Sequence, residues 1–230
     1  MVVVLCLAVL VVVALAAFSS SPTGPRSPLA PTARLGAAGP PAAEIIAVQG
    51  ELPIQLPVAQ DRLTAVGYHA AGADALPLKP LGRQKNEGLF TRVFHRIFGG
   101  GGSGIGWFQL PGGEGPSTGA VDVGAPVGTD VYAPVSGTVV SIRAYVLDGR
   151  KYGNVIQIQP DKSPSLVVMA THLSADPALT VGSPLTAGTT RIGQIVDFSS
   201  VERQSLADHT QDAGNHVTLE TNQAATSALR

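Results

Sequence analysis

The chain has 230 residues, a formal net charge of -1 and only 13% charged residues. Strong electrostatic attraction to nucleic acid or to an anionic membrane surface needs clustered Lys and Arg and is not supported, and no nucleic-acid partner is expected. Aromatics make up 5%, which leaves few stacking platforms for bases or sugars.

Residues 2–18 form an unbroken apolar run that ends in Ala14, Ala16 and Ala17 before Ser19. Its length lies between a signal-peptide core and a short membrane-spanning helix, so both a cleaved signal and an uncleaved anchor are open. The one cysteine, Cys6, sits inside this run without a lipobox, and a lone cysteine does not fix the compartment. Arg26 and Arg34 follow the run and argue weakly against export; export is nevertheless the expectation. Residues 19–43 are rich in Pro, Ala, Gly and Ser without apolar periodicity, the composition of a linker.

Residues 44–81 carry short apolar pieces broken by Pro53, Pro57, Pro77 and Pro80. They read as an extended segment draped over the main domain with one strand at most, and His69 and Asp74 as solvated loop residues. Apolar positions 89, 90, 93, 94, 97 and 98 predict a short helix over 89–98, with His95 on its wet face. It is stopped by glycine-rich residues 99–104. Those glycines lack the Lys-Ser pair and following helix of a phosphate loop and read as a hinge.

Residues 118–142 (TGAVDVGAPVGTDVYAPVSGTVVSI) organise the rest. Gly and Pro punctuate them too densely for helix, and the pieces between are β-branched. Downstream, residues 154–159, 166–173, 181–185, 190–198 and 216–220 (HVTLE) read as further strands, with a polar loop over 199–214. Turns about every 8–12 residues point to an all-β fold, an antiparallel sandwich or barrel over 106–223, followed by a tail at 224–230.

In order, VDVGAPVGTDVYAPVSGTVVSI, YGNVIQI, ATHLS, VGSPLTAG with IGQI, and GNHVTLE resemble the LytM/lysostaphin-type peptidoglycan endopeptidases. The likeness covers residues 106–223. It implies an antiparallel β core of the duplicated hybrid motif type and a zinc peptidase site that cleaves cell-wall cross-bridges. Carried over by position, the resemblance makes Asp122 the aspartate ligand, and His172 and His216 the two accessory catalytic histidines. Thr118 and Thr218 stand where it places the two zinc-binding histidines.

Zinc is held by thiolate, imidazole and carboxylate, and a catalytic site uses three protein ligands plus water. A threonine hydroxyl is a poor substitute, and a full structural site draws roughly 10–16 kcal/mol from its ligands. Without the metal nothing lowers the pKa of the attacking water. The expectation is therefore a degenerate, non-catalytic domain of the cell envelope, without a cofactor, secreted or membrane-anchored through its N-terminal segment. Its expected partner is a peptidoglycan peptide or a cell-wall hydrolase that it regulates.

The alternative is an active zinc endopeptidase with rearranged ligands. In it His209, flanked by Asp208 and near Asp212, joins Asp122 and His216. A biotinyl or lipoyl carrier would need a lysine at a hairpin tip, and Lys151 and Lys162 sit in the wrong context. No Gly-x-Ser-x-Gly elbow supports a serine hydrolase.

Overall fold

The computed structural model describes residues 39–86 and 104–227. The expected leader, most of the linker, the helix over 89–98 and the hinge at 99–103 lie outside the described residues. Before the hinge come β1 (Ile45–Gln49), β2 (Leu52–Gln55), β3 (Ala65–His69) and β4 (Lys79–Pro80). After it come β5 (Phe108–Gln109), β6 (Ala120–Gly124), β7 (Asp130–Tyr132), β8 (Gly137–Leu147), β9 (Arg150–Pro160) and β10 (Leu166–Ala175). The chain closes with β11 (Pro184–Leu185), β12 (Arg191–Ile195), a 3-10 turn (Ser205–His209), β13 (His216–Gln223) and the short helix α1 (Ala224–Ser227).

The protein is all-β. A ten-stranded sheet runs β11-β8-β9-β10-β13-β6-β3-β5, with β12 bridging β10 and β7. Its pairs are antiparallel except β3 with β5. A second sheet, β2-β1-β4, has three strands. One core cluster joins the two sheets: Ile46, Leu52 and Ile54 pack with Val121, Val123, Ile156, Ile158, Val168 and Leu219.

Period-two alternation explains which side chains reach that core. Val121 and Val123 in β6, Val217 and Leu219 in β13, and Val66 and Tyr68 in β3 are all buried in it. Their neighbours Asp122, His216, Thr218, Gly67 and His69 therefore share the opposite face. The Tyr68 hydroxyl, buried by its position, donates to the Ile46 carbonyl at 2.8 Å and ties β3 to the second sheet.

The segment before the hinge departs from expectation. It contributes four strands rather than one at most, and β3 is an integral member of the large sheet, paired with β6 over Ala65 to His69. The prolines that make the segment look like loop fall mostly between the strands or on short ones. Pro53 and Pro80 lie in β2 and β4 at the edges of the small sheet, where a missing N–H costs no ladder bond.

Candidate functional site

Four strands bring one row of residues into register across the sheet. Gly67 of β3 faces Asp122 of β6, Asp122 faces Thr218 of β13, and Thr218 faces Thr171 of β10. His69 and His216 lie two residues along their strands from this row, on the same face, and both reach Asp122. His69 Nε2 is 3.2 Å and His216 Nε2 3.4 Å from Asp122 Oδ1. The Thr218 hydroxyl donates to the same oxygen at 2.7 Å.

His172 arrives through a bulge. Between Ala170 and Leu173 β10 advances three residues while β9 advances two, from Ile156 to Asn154. The extra residue bends the strand and leaves His172 at φ 61°, a left-handed conformation that costs a non-glycine residue about 1–3 kcal/mol. The bulge aims the ring at the site. Its Nδ1 is 3.3 Å from Thr218 Oγ1. The ring stacks on Phe198 at 4.5 Å and meets Tyr145 and His216 edge-on at 5.0 and 5.1 Å. Asn215, just before β13, accepts the N–H groups of Phe198 and Ser199 through Oδ1 at 2.9 and 3.0 Å. It thereby fixes the aromatic wall against the strand that carries His216.

These groups line a groove of about 410 Å³, with Arg143, Glu202, Arg203 and Glu220 also on its walls. Leu110 lines the groove on the β3 side, and Leu206 is buried beside it. They fit because Gly67 and Gly124 carry no side chain: a Cβ at Gly67 would lie 2.5 Å from Leu110 Cδ1, and one at Gly124 2.7 Å from Leu206 Cδ2.

The electrostatics follow from the contacts. Burial alone would raise the Asp122 carboxyl. The charge of His216, the hydrogen bond and charge of His69, and the Thr218 hydroxyl instead hold it well below the usual carboxylate range. Burial opposes charging of His69, but the hydrogen bond and charge of Asp122 outweigh it and push the imidazole up to about 9. His172 has no such partner. Burial, reinforced by nearby His216, pulls it down to about 4, so it is neutral at pH 7.

The structure brings Asp122, His172, His216 and Thr218 together, and it sets Thr118 apart. Thr118 lies in the turn before β6, where its carbonyl accepts the Leu78 N–H at 2.9 Å, and it is not among the groove residues. His209 is not there either. Its ring stacks on Phe108 at 4.2 Å and 8°, with Lys85 Nζ 5.3 Å from the same Phe108 ring. Asp208 pairs with Arg203, and Asp212 accepts the Gly214 N–H at 2.9 Å. The residue that sequence reasoning missed is His69, a member of β3 at Asp122 and not a solvated loop residue. Its signal was the alternation of AVGYH, hidden by the prolines around it. Asp74 is exposed in a turn.

The resemblance implies a zinc ion, and the residues present do not fit one. Among the described residues no group of three His, Cys, Asp or Glu side chains is placed to hold a metal ion. Asp122 Oδ1 is already shared by a hydroxyl and two imidazoles, and Thr218 supplies a neutral hydroxyl where an imidazole would be needed.

No protein-family model and no curated protein sequence matches the chain. Among solved structures, it is similar to lysostaphin in solution, with 21% identity, 46% of this chain and 36% of that one covered, and a TM-score of 0.34. It thus spans about a third of lysostaphin's chain. The SpoIIQ–SpoIIIAH pore-forming complex matches at 17% identity over 79% of this chain and 85% of that one, with a TM-score of 0.40. Pseudoalterin, an M23 metalloprotease from the deep sea, matches at 14% identity over 74% and 70%, with a TM-score of 0.35.

Proposed function

We propose that this is a non-catalytic, cell-envelope domain that binds peptidoglycan peptide in the groove of the large sheet. The observation that carries the reading is the fate of the two substituted positions. Thr218 donates its hydroxyl to Asp122, and Thr118 lies outside the groove. The carboxylate is thereby satisfied within the protein and is not held open for a metal. Hydrolysis of an amide needs an activated water, and Asp122, held well below the usual carboxylate range, is far too weak a base to supply one.

Binding needs less. The groove offers an aromatic wall, Tyr145 and Phe198, and charged groups of both signs, Arg143 and Arg203 against Glu202 and Glu220. Cell-wall peptides carry free carboxylates and amines, which such a set complements. The rearranged zinc site built on His209 has no support, because that ring is stacked on Phe108.

The test is cosedimentation of the full chain with purified peptidoglycan, with soluble muropeptides as competitors. Retention that muropeptides compete away, and that Tyr145→Ala with Arg143→Ala weakens, is the expected result. Absence of retention, together with stimulation of a cell-wall hydrolase, would shift the reading from peptide binding to regulation of an enzyme. Release of new amino groups from the peptidoglycan would overturn it.

A further inference from the structure

A second row of residues crosses the groove floor one residue pair, about 7 Å, along the strands from Asp122. Ala120 of β6 faces Glu220 of β13, Glu220 faces Met169 of β10, and Met169 faces Gln157 of β9. Glu220 and Met169 line the groove together with Ala71, Leu110 and Pro111. Thr218 and His69 are both bonded to Asp122, and the carboxylate of this second row is that of Glu220.

The row is built to orient that carboxylate. Asn222, 3% exposed, lies two residues further along β13 on the same face. It donates through Nδ2 to Glu220 Oε1 at 2.7 Å and to Met169 Sδ at 3.6 Å. Its Oδ1 is buried without a hydrogen-bond partner, a costly state for an acceptor. Turning the amide over would set that oxygen against the carboxylate, so Glu220 dictates its orientation. Gln157 donates to the same sulfur at 3.7 Å and so steadies Met169 between two amides. A fixed carboxylate beside the methylenes and thioether of Met169 suits a group that only donates, carried on an apolar stem. A primary alkylammonium is such a group, with three N–H donors and no acceptor. A ligand carboxylate in the same place would set acceptor against acceptor.

We propose that Glu220 selects ligands by a free side-chain amine. The ammonium of a lysine-like side chain bonds its carboxylate, and the alkyl stem lies on Met169. Asn222 is the positioning residue, holding the carboxylate through Nδ2 at the expense of its own Oδ1. The inference rests on the reading of the groove as a peptide site and names the group that the site recognises.

The full chain labelled with nitrogen-15 tests this with two probes that differ in one group. Nα-acetyl-lysine amide carries a free side-chain amine, and its Nε-acetylated form does not. The first is expected to shift the Asn222 side-chain NH2 signal saturably, that signal being assigned by its loss in Asn222→Ser. The second is expected to leave it in place. Equal shifts, or none with either probe, would overturn the proposal. Glu220→Gln keeps the shape, removes the charge and should abolish the shift; a shift that persists would also overturn it. If this variant does not fold, the two probes on the wild type decide. In cosedimentation, acetylating the amines of the competing muropeptides should weaken competition about tenfold or more, the loss of one charge-assisted hydrogen bond. Equal competition would overturn the amine subsite and leave peptide binding standing. Absence of retention would overturn the peptide reading, while the probe titration still decides on Glu220.

Discussion

Two hydrogen bonds meet on Asp122 Oδ1, from the Thr218 hydroxyl and from His69 Nε2, and each sets a measurable property. Thr218→Val keeps the shape of the side chain and deletes the hydroxyl bonded to the carboxylate. It should lower stability by about 1–3 kcal/mol, because a buried acceptor loses a short partner. The urea midpoint at pH 7 reads this, and an unchanged midpoint would mean that the hydroxyl is spare. The dependence on pH follows from the shifts. His69 is raised to about 9, so its contribution is complete below its unfolded value near 6.5 and disappears as pH rises through about 9. His172 is lowered to about 4, so stability falls as pH drops from about 6.5 toward 4 and the unfolded chain takes up the proton first. The depressed Asp122 adds a further loss at more acid pH, as pH falls below the ordinary aspartate value near 3.9. Denaturant midpoints across pH should therefore peak near pH 6.5. A plateau reaching past pH 9 would contradict the assignment of His69.

Among the elements, β6 and β13 were legible because they alternate cleanly. VDV and HVTLE place Asp122, His216, Thr218 and Glu220 on one face by period two alone, and the strands form in that register. β10 was legible as a strand but not as a bulge: nothing in ATHLS marks the extra residue that gives His172 its φ of 61°. β3 was the miss. Its five residues lie between proline-rich stretches, and a strand that depends on a distant partner leaves little local trace. The expected polar loop over 199–214 likewise hides a 3-10 turn that buries Leu206 completely. Leu206 packs over Gly67 and Gly124. Leu206→Ala should cost about 2–5 kcal/mol. Gly67→Ala would place a methyl against Leu110 and should cost about 1–3 kcal/mol by overpacking. Both are read by chemical denaturation, and a neutral result for either would mean that this lid is not packed on β3.

At the scale of the molecule, the region that resembles a peptidase shares its sheet and core with residues 39–86. Residues 39–86 supply the second sheet, the strand beside β6 and core side chains such as Ile46, Ile54, Leu56 and Val58. A fragment starting at residue 104 would expose β6 as an edge and lose one wall of the core. It should give no cooperative melting transition by circular dichroism, whereas the chain from residue 39 should. A fragment that melts as sharply as the longer chain would show that the N-terminal strands are an appendage. The resemblance identified the kind of sheet. It could not supply His69, which lies outside the resembling stretch.

The groove is proposed to bind without a metal's chemistry. This is tested most directly by the zinc content of the full chain purified without chelators, followed by zinc titration and assay of muropeptide cleavage on the same sample. Substoichiometric zinc, no saturable uptake and no cleavage are expected. One zinc held per chain, with cleavage that a chelator abolishes, would contradict it.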